Sequence, residues 1–397
     1  MQFSRKNYQD TLLEEIQNSE KKFWLITGHA WVWKKTFLHL FHERLLHEKL
    51  PSVLVELQES DTIDSALSQK KDDIRDAYVH IISPYFDILD ALVSWYEEHV
   101  SEIRGLCTTG RVYFGQYKEV TEFPLSGISW REYRDELFPS WKEAWDEGSE
   151  NEDMKALEKA HETYLLSGAF PSVLTEENPE TRRIRQQEIF EKKCTEVVQQ
   201  LYKKDEILFR KFLTVLATET GSLLKWDYFS RLATIPRRKV RLFLDVLEEY
   251  GMIERLSPFV RDEKLETGLH DRFYWSDLSY ICVLLWDLYL QWAMRIRVLE
   301  NFLYLELKSL LSPENTLWFY RKKSQATIPF LIYDSLWDTI LPITILERDT
   351  IAVPQVFRSF HDLYGPSVKR YMVFTHSLND TRKIWDTEII YRKCTDM

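Results

Sequence analysis

Cysteine is scarce in this sequence. Cys107, Cys194, Cys282 and Cys394 are scattered over 397 residues with no CxxC pair and no histidine at zinc spacing. That excludes a disulfide frame or a zinc site as an organising feature and makes a reducing cytoplasm the expected compartment. The ten histidines give no metal spacing either: His39 and His42 fall three apart on one helical pattern, without the carboxylates that would complete a site. There is no nucleophile elbow, no internal repeat and no low-complexity segment. The N-terminal MQFSRKNYQDTLLEEIQ has no apolar core of signal-peptide type. The greasiest stretch, Tyr274 to Leu299, is interrupted by Asp277, Asp287 and Gln291 and runs out at Arg295 and Arg297. It therefore reads as a buried helix, and no membrane partner is expected. Positive charge is also in deficit, with 52 basic against 63 acidic residues and a net charge of −11. A chain coated in nucleic acid is excluded, so any DNA contact must be local.

What is present is a soluble globular composition, 44% hydrophobic and 29% charged, in a chain too long for one core. Residues 1–165 alternate apolar strands with helical patterns, the signature of a parallel α/β sheet, with strands expected at Phe23–Thr27, Ser52–Leu57, Tyr78–Ile82 and Leu106–Thr109. Trp141 to Ala160, rich in Glu and Lys, reads as a solvated helix leading out of that domain. Residues 166–280 turn helical, with Ile189, Val197, Val198 and Leu201, then Phe212, Val215 and Leu216, at helix spacing, before a strand-like Met252 to Leu256. In residues 281–397 aromatic and β-branched runs return (Leu317–Tyr320, Phe330–Tyr333, Ile343–Leu346, Val368–Phe374), pointing to a second, smaller α/β unit. Most of the 14 tryptophans read as core.

One segment carries chemistry. In WLITGHAWVWKKTFLHLF, Trp24 to Phe41, an apolar strand runs into Gly28, and Trp33, Lys34, Lys35 and Thr36 open a helix where a phosphate-binding loop reads GxxxxGK(S/T). Trp33 stands where a glycine must let the backbone close on phosphates. Lys35 stands where a hydroxyl ligates magnesium, and Thr36 is one residue late, about 100° around the helix. Gly28, Lys34, Lys35 and Thr36 remain as candidates for residual nucleotide or anion binding. The other reading is a structural turn, with Trp31 and Trp33 filling the vacated space. Cys107, ending an expected buried strand, is a small core residue.

Several further segments fall in one order along the chain: VLVELQE (Val53 to Glu59), TTG (Thr108 to Gly110), FPLSGISWREY (Phe123 to Tyr133), YLLSGAFPSVL (Tyr164 to Leu174), the run from Phe212 to Phe259, RFYWSDLSY (Arg272 to Tyr280) and VLENFLYLEL (Val298 to Leu307). With the loop at Gly28, this order resembles the prokaryotic AAA-type P-loop ATPases that carry a winged helix and a C-terminal nuclease-like domain. The resemblance implies a P-loop sheet domain (1–165), a helical and winged-helix region (166–280) and a small α/β nuclease-like domain (281–397). It also implies a back half that faces nucleic acid or a partner protein.

The departures from that family set the functional expectation. Its second nucleotide motif ends a strand in Asp-Glu to hold magnesium and activate water. Here the strand ends in Ser83-Pro84, with Asp87 and Asp90 too far downstream, and Gly115-Gln116 replaces a Gly-Arg pair. Its nuclease-like members carry E-x-D and, later, E-x-K. Here Thr327 and Pro329, then Thr344 and Leu346, hold those positions, and only Glu300 remains. In the winged-helix segment Arg237, Arg238, Lys239 and Arg241 open the expected recognition helix and are the candidates for DNA contact, with Leu242, Leu244, Val246 and Leu247 supplying its apolar faces. The expectation is a degenerate, non-catalytic member acting as a scaffold or regulatory binding module, with an unknown protein partner, DNA as a further partner, and no metal or cofactor. The alternative is an ATP- and magnesium-binding ATPase using unconventional residues.

Overall fold

The structure is a computed structural model that describes residues 5–18, 22–27, 34–58, 62–68, 70–83, 89–109, 117–125, 127–139, 152–201, 205–261, 270–285, 292–312, 314–322, 326–346, 353–385 and 387–397. The chain forms two compact units, residues 1–128 and 129–397.

The first unit runs α1 (Lys6–Asn18), β1 (Phe23–Thr27), α2 (Lys34–His47), β2 (Ser52–Glu56), α3 (Ile63–Ser68), α4 (Lys71–Ile74), β3 (Tyr78–Ile82), α5 (Leu89–His99), β4 (Gly105–Thr109) and β5 (Val120–Pro124). Its five strands form one sheet in the order β2-β3-β4-β1-β5, with every pairing parallel. Parallel strands need crossovers, and crossovers cover both faces, so the central strands read as unbroken apolar runs. β1 shows this best, being buried along its whole length. Phe23 and Leu25 join Val79, Ile81 and Leu106 in one apolar cluster, while Trp24 and Ile26 join Phe37, Phe41 and Cys107 in another. Fully burying each such side chain contributes about 1.5–3 kcal/mol. A Cβ on Gly105 would lie 2.6 Å from the Trp24 ring, so glycine is what admits the indole between β1 and β4.

Cys107 is fully buried, as expected of a core residue, and burial pushes its thiol up. β5 was not among the expected strands. It is an edge strand in which Thr121 and Glu122 break the apolar run that marks its neighbours.

The second unit runs α6 (Trp130–Leu137), α7 (Glu152–Ser167), α8 (Pro171–Leu174), α9 (Pro179–Val198), α10 (Glu206–Thr218), α11 (Trp226–Ala233), α12 (Arg237–Glu249), β6 (Ile253–Leu256), β7 (Arg272–Trp275), α13 (Leu278–Leu284), α14 (Trp292–Ser309), β8 (Asn315–Arg321), β9 (Thr327–Asp334), β10 (Thr339–Ile345), α15 (Gln355–Tyr364), β11 (Arg370–Thr375), β12 (Asp380–Ile384) and β13 (Thr387–Lys393). The helix expected over Trp141 to Ala160 appears as α7 from Glu152, its earlier part lying outside the described residues.

β6 and β7 make an antiparallel pair directly after α10, α11 and α12. The remaining strands form a six-stranded mixed sheet in the order β12-β13-β11-β10-β9-β8, with β10, β11 and β13 mutually parallel. α15 buries Phe357 and Phe360 against Tyr320, Ile328, Leu331, Tyr371 and Tyr391.

Tyr274 to Leu299 is not the single buried helix its hydropathy suggested. It holds the end of β7, then α13, then the start of α14, because Asp277 takes an extended backbone and its carboxylate caps Ser279 N at 2.8 Å. Among the described residues no helix is long and apolar enough to cross a membrane. β12 and β13 were also missed. β12 is an edge strand of charged residues, and β13 hides Ile389 and Tyr391 among polar neighbours.

His161 on α7 is buried between the rings of Trp130 and Phe302, at 4.8 and 5.0 Å, and its Nε2 has no partner. Burial, with a further push from Arg295 and His376, lowers its pKa to about 3. The unfolded chain titrates near 6.5, so it binds the extra proton first as pH falls. The His161 contribution is whole above about pH 6.5 and is lost toward pH 3, at about 1.4 kcal/mol per pH unit. Urea unfolding of the His161→Phe variant between pH 7 and 4 should therefore show a pH slope shallower by about that amount; an unchanged slope would contradict the assignment.

Candidate functional site

Three places carry the residues singled out by sequence. The first is the head of α2. Lys34 opens that helix and is buried, Lys35 is exposed and Thr36 half-buried, while Gly28, Trp31 and Trp33 lie outside the described residues. β1 ends in buried Thr27, whose hydroxyl donates to Glu122 Oε1 on β5 at 2.6 Å. β3 ends beside a buried Ser83; Pro84, Asp87 and Gly115-Gln116 are outside the described residues, and Asp90 is exposed on α5.

On β3 and β2, His80 is fully buried, and burial, then His42, lowers its pKa to about 3. His80 Nε2 and His42 Nδ1 both meet Ser52 Oγ, at 2.9 and 2.8 Å. His39 sits half-exposed against Glu56 at 2.7 Å, a boundary position.

The second place is the start of α12. Cations there oppose the helix dipole unless compensated, and the fold compensates them. Arg237 meets Asp227 at 3.3 Å, Lys239 pairs with the buried Asp205, and Arg241 meets Asp245 at 3.7 Å. The Arg237 and Arg241 guanidinium groups also lie 5.3 and 5.2 Å from the Trp226 ring centroid. Arg238 is exposed and has no carboxylate partner among the described residues. Leu244, Val246 and Leu247 are buried, whereas Leu242 faces solvent.

The third place is a cleft of about 670 Å³ walled by the α10–α11 connection, β7, α14, β9 and β10. Glu300, Thr327, Pro329 and Thr344, which the family pattern placed together, all line it, whereas Leu346 does not. Thr327 and Pro329 face the cleft from β9 while Ile328 between them enters the core, the period-two alternation of a strand.

Asn301 fixes this wall. Its amide receives Trp275 N at 2.8 Å, donates to Trp275 O at 2.9 Å and accepts from Thr220 Oγ1 at 2.7 Å, tying α14 to β7 and to the turn after α10. Gly221 in that turn has φ +78°, and a Cβ there would lie 2.7 Å from Glu300 Oε1, so the position needs glycine twice over.

The electrostatics of the cleft are unequal. Glu300 accepts from Arg272 Nη1 at 2.7 Å and from Tyr274 Oη at 2.9 Å. Burial works against the Arg272 charge, but Glu300 and Tyr274 outweigh it and hold its pKa above the ordinary value. The Arg272 guanidinium also lies 5.3 Å from the Phe319 ring centroid. Arg297 donates through Nη1 to Thr220 O at 3.2 Å and Ser222 Oγ at 3.1 Å, while its Nη2 stands 3.6 Å from Glu219.

Among the described residues no group of three or more His, Cys, Asp or Glu could hold a metal ion. Sequence reading missed Glu219, Lys225, Tyr228, Arg272 and Arg297. The one signal was a charge heading the apolar strand Arg272–Trp275, and Arg297 had been read only as the end of a greasy segment.

Residues 158–287 match the model of a domain of unknown function (DUF8612), less than half of the chain. No curated protein matches. Among solved structures, the crystal structure of a Signal Transduction ATPase with Numerous Domains (STAND) protein with a tetratricopeptide repeat sensor, from Pyrococcus horikoshii, is similar at 14% identity and a TM-score of 0.29. That similarity covers 77% of this chain and 45% of the other, so the chain spans less than half the length of that structure.

Removing one partner of a largely buried ion pair strands the other. Arg272→Ala should therefore cost about 3 kcal/mol in urea unfolding, with much of the loss recovered when Glu300→Gln is added. Wild-type stability in the single variant would contradict the pairing.

Proposed function

We propose that this protein is a non-catalytic, AAA-like scaffold or regulatory binding module. Its N-terminal part (1–165) is a degenerate P-loop domain, its middle (166–280) a helical and winged-helix region, and its C-terminal part (281–397) a degenerate nuclease-like domain. The observation that carries this reading is the state of Glu300. It is the only carboxylate among the four family positions in the cleft, and it is already engaged by Arg272 and Tyr274. Thr327, Pro329 and Thr344 facing it offer no second carboxylate and no lysine, so a two-carboxylate metal site with a nucleophile-steering lysine is not assembled from these residues. The end of β3 supports the same reading in the first unit, since Ser83 offers a hydroxyl where an acidic pair would activate water.

A second reading, nucleotide binding without hydrolysis, is favoured by the burial of Lys34 at the head of α2. Calorimetry with ATP and magnesium separates the two. The scaffold reading expects that no saturable heat, and no shift of melting temperature with nucleotide, depends on Lys34. Saturable heat lost in Lys34→Ala would establish the second, and phosphodiester or ATP turnover lost in Glu300→Gln or Lys34→Ala would overturn both.

DNA contact through the winged helix is supported by the succession α10, α11, α12, β6, β7 and by the exposure of Arg238. Arg238→Ala should weaken a DNA mobility shift and lower its salt slope by about 1. Lys239 is a poor probe, because its loss would strand buried Asp205. An Arg238→Ala variant with unchanged affinity and salt slope would remove the DNA proposal.

A further inference from the structure

The cleft on α14 has features that its non-catalytic reading leaves unused. Three cations line it, Lys225, Arg272 and Arg297, against two carboxylates, Glu219 and Glu300. The balance is therefore one positive charge, in a chain whose net charge is −11.

The two ion pairs differ in strength. Arg272 and Glu300 are locked at 2.7 Å and shared with Tyr274, so they act as a closed unit. Arg297 and Glu219 stand at 3.6 Å, beyond a hydrogen bond, and Glu219 is held instead by Ser222 Oγ at 3.0 Å and by the Tyr228 hydroxyl. The Arg297 guanidinium is oriented through Nη1 by Thr220 O and Ser222 Oγ, which leaves Nη2 for an anion better placed than Glu219.

Lys225 lines the same cleft as that guanidinium, with no carboxylate at ion-pair distance among the described residues. It is also the residue before α11, an eight-residue helix whose start has no side-chain cap, so the helix adds partial positive charge on the same side. The neighbouring His270 registers the same field, its pKa lowered by burial and then by Lys225 and Arg321. Tyr228 lines the cleft and is 37% exposed, offering an aromatic side chain on which a base or sugar can rest. A volume of about 670 Å³ suits a molecule of nucleotide size.

We propose that this cleft binds a phosphate-bearing small molecule of nucleotide size, its phosphate seated between Lys225 and Arg297 Nη2 and its flat moiety on Tyr228. Glu219 is the internal anion that the phosphate displaces. Binding needs no metal and no bond is made or broken, so the proposal rests on the non-catalytic reading of the same cleft only in taking the ligand up unchanged.

The probes are inorganic pyrophosphate, AMP and a 5′-phosphorylated hexanucleotide, each titrated calorimetrically into the full chain at fixed ionic strength. Saturable binding of pyrophosphate and of AMP is expected, with AMP losing affinity in Tyr228→Ala while pyrophosphate does not. Lys225→Gln and Arg297→Gln should each weaken both by about tenfold, the scale of one charge-assisted hydrogen bond. Glu219→Gln should strengthen both, because it removes the competing carboxylate while keeping the side chain's shape. That gain keeps the proposal testable should Arg297→Gln fail to fold, and the loss of AMP but not pyrophosphate affinity in Tyr228→Ala distinguishes a built site from general attraction to a basic surface.

Absence of saturable heat in both wild type and Glu219→Gln would overturn the proposal. So would an affinity unmoved by Lys225→Gln and Glu219→Gln. Uptake of the hexanucleotide without AMP would overturn the small-molecule assignment. Failure of binding leaves the non-catalytic reading intact, whereas hydrolysis of the hexanucleotide lost in Glu300→Gln would end that reading while leaving AMP binding to stand on its own.

Discussion

The second unit depends on a fully buried amide. Asn301 closes both backbone groups of Trp275 and takes the Thr220 hydroxyl as well. The edge of β7 away from β6 is met at Phe273 by Gly221 and Ser222, and Asn301 takes over at Trp275, whose N–H and C=O would otherwise be unmet in the interior. An unmet buried group costs about 1–3 kcal/mol, and a leucine in place of Asn301 would leave three, the Thr220 hydroxyl included. The same helix repeats the device at Glu306, whose buried carboxyl accepts from Trp130 N at 2.7 Å and from Tyr164 Oη at 3.3 Å. Burial raises its pKa to about 7 in spite of those donors. α14 is thus fixed by polar side chains that each answer a backbone or hydroxyl group far away in sequence, and the position of Glu300 and Arg297 in the cleft follows from that fixing.

Charge in this protein is arranged rather than accumulated. The run from Arg237 to Arg241 looks like a basic patch in sequence, yet Asp205, Asp227 and Asp245 meet three of its four cations. Two of those acids come from outside α12, so counting charges along the helix overstates its field. The two exposed pairs, Arg237 with Asp227 and Arg241 with Asp245, contribute about 0–1 kcal/mol each to stability. Their larger effect is on the potential seen from outside, which a pairing at 3.3 or 3.7 Å mostly cancels beyond a Debye length. In the cleft the opposite holds: the cations outnumber their partners by one, and the surplus sits among groups already oriented by backbone carbonyls.

How far the fold could be read from sequence depended on where each strand lies in its sheet. β1 to β4 are the inner strands and one edge of a parallel sheet, and their apolar runs identified them. β5 and β12 are edge strands, where one row of backbone groups faces away from the sheet and side chains such as Glu122, Arg382 and Lys383 are tolerated, so the apolar signal was missing. Tyr274 to Leu299 misled because hydropathy averages over residues and does not see that one aspartate, Asp277, takes an extended backbone to cap the next helix. The cleft was half legible. A family pattern located Glu300, Thr327, Pro329 and Thr344, since each sits at a fixed place on a regular element. Glu219, Lys225 and Arg272 come from a turn and from a strand head with no spacing relation to α14, and only the folded chain brings them together.

The composition of the cleft then follows from what a carboxylate requires. Several carboxylates facing one another across α14, β9 and β10 would repel, and each would carry a desolvation cost that only a bound cation or a set of donors offsets. Thr327, Pro329 and Thr344 impose no such requirement: two hydroxyls can turn to whatever acceptor is near, and a proline ring needs none. Glu300 does impose it, and Arg272 meets it with a guanidinium that is itself steadied over Phe319. A Cβ at Gly221 would lie 2.7 Å from Glu300 Oε1, so the glycine leaves the carboxylate its place beside Arg272 and Tyr274. Bound by those two donors, Glu300 holds Arg272 and Tyr274 in place as one wall of the cleft that Arg297 and Lys225 also line.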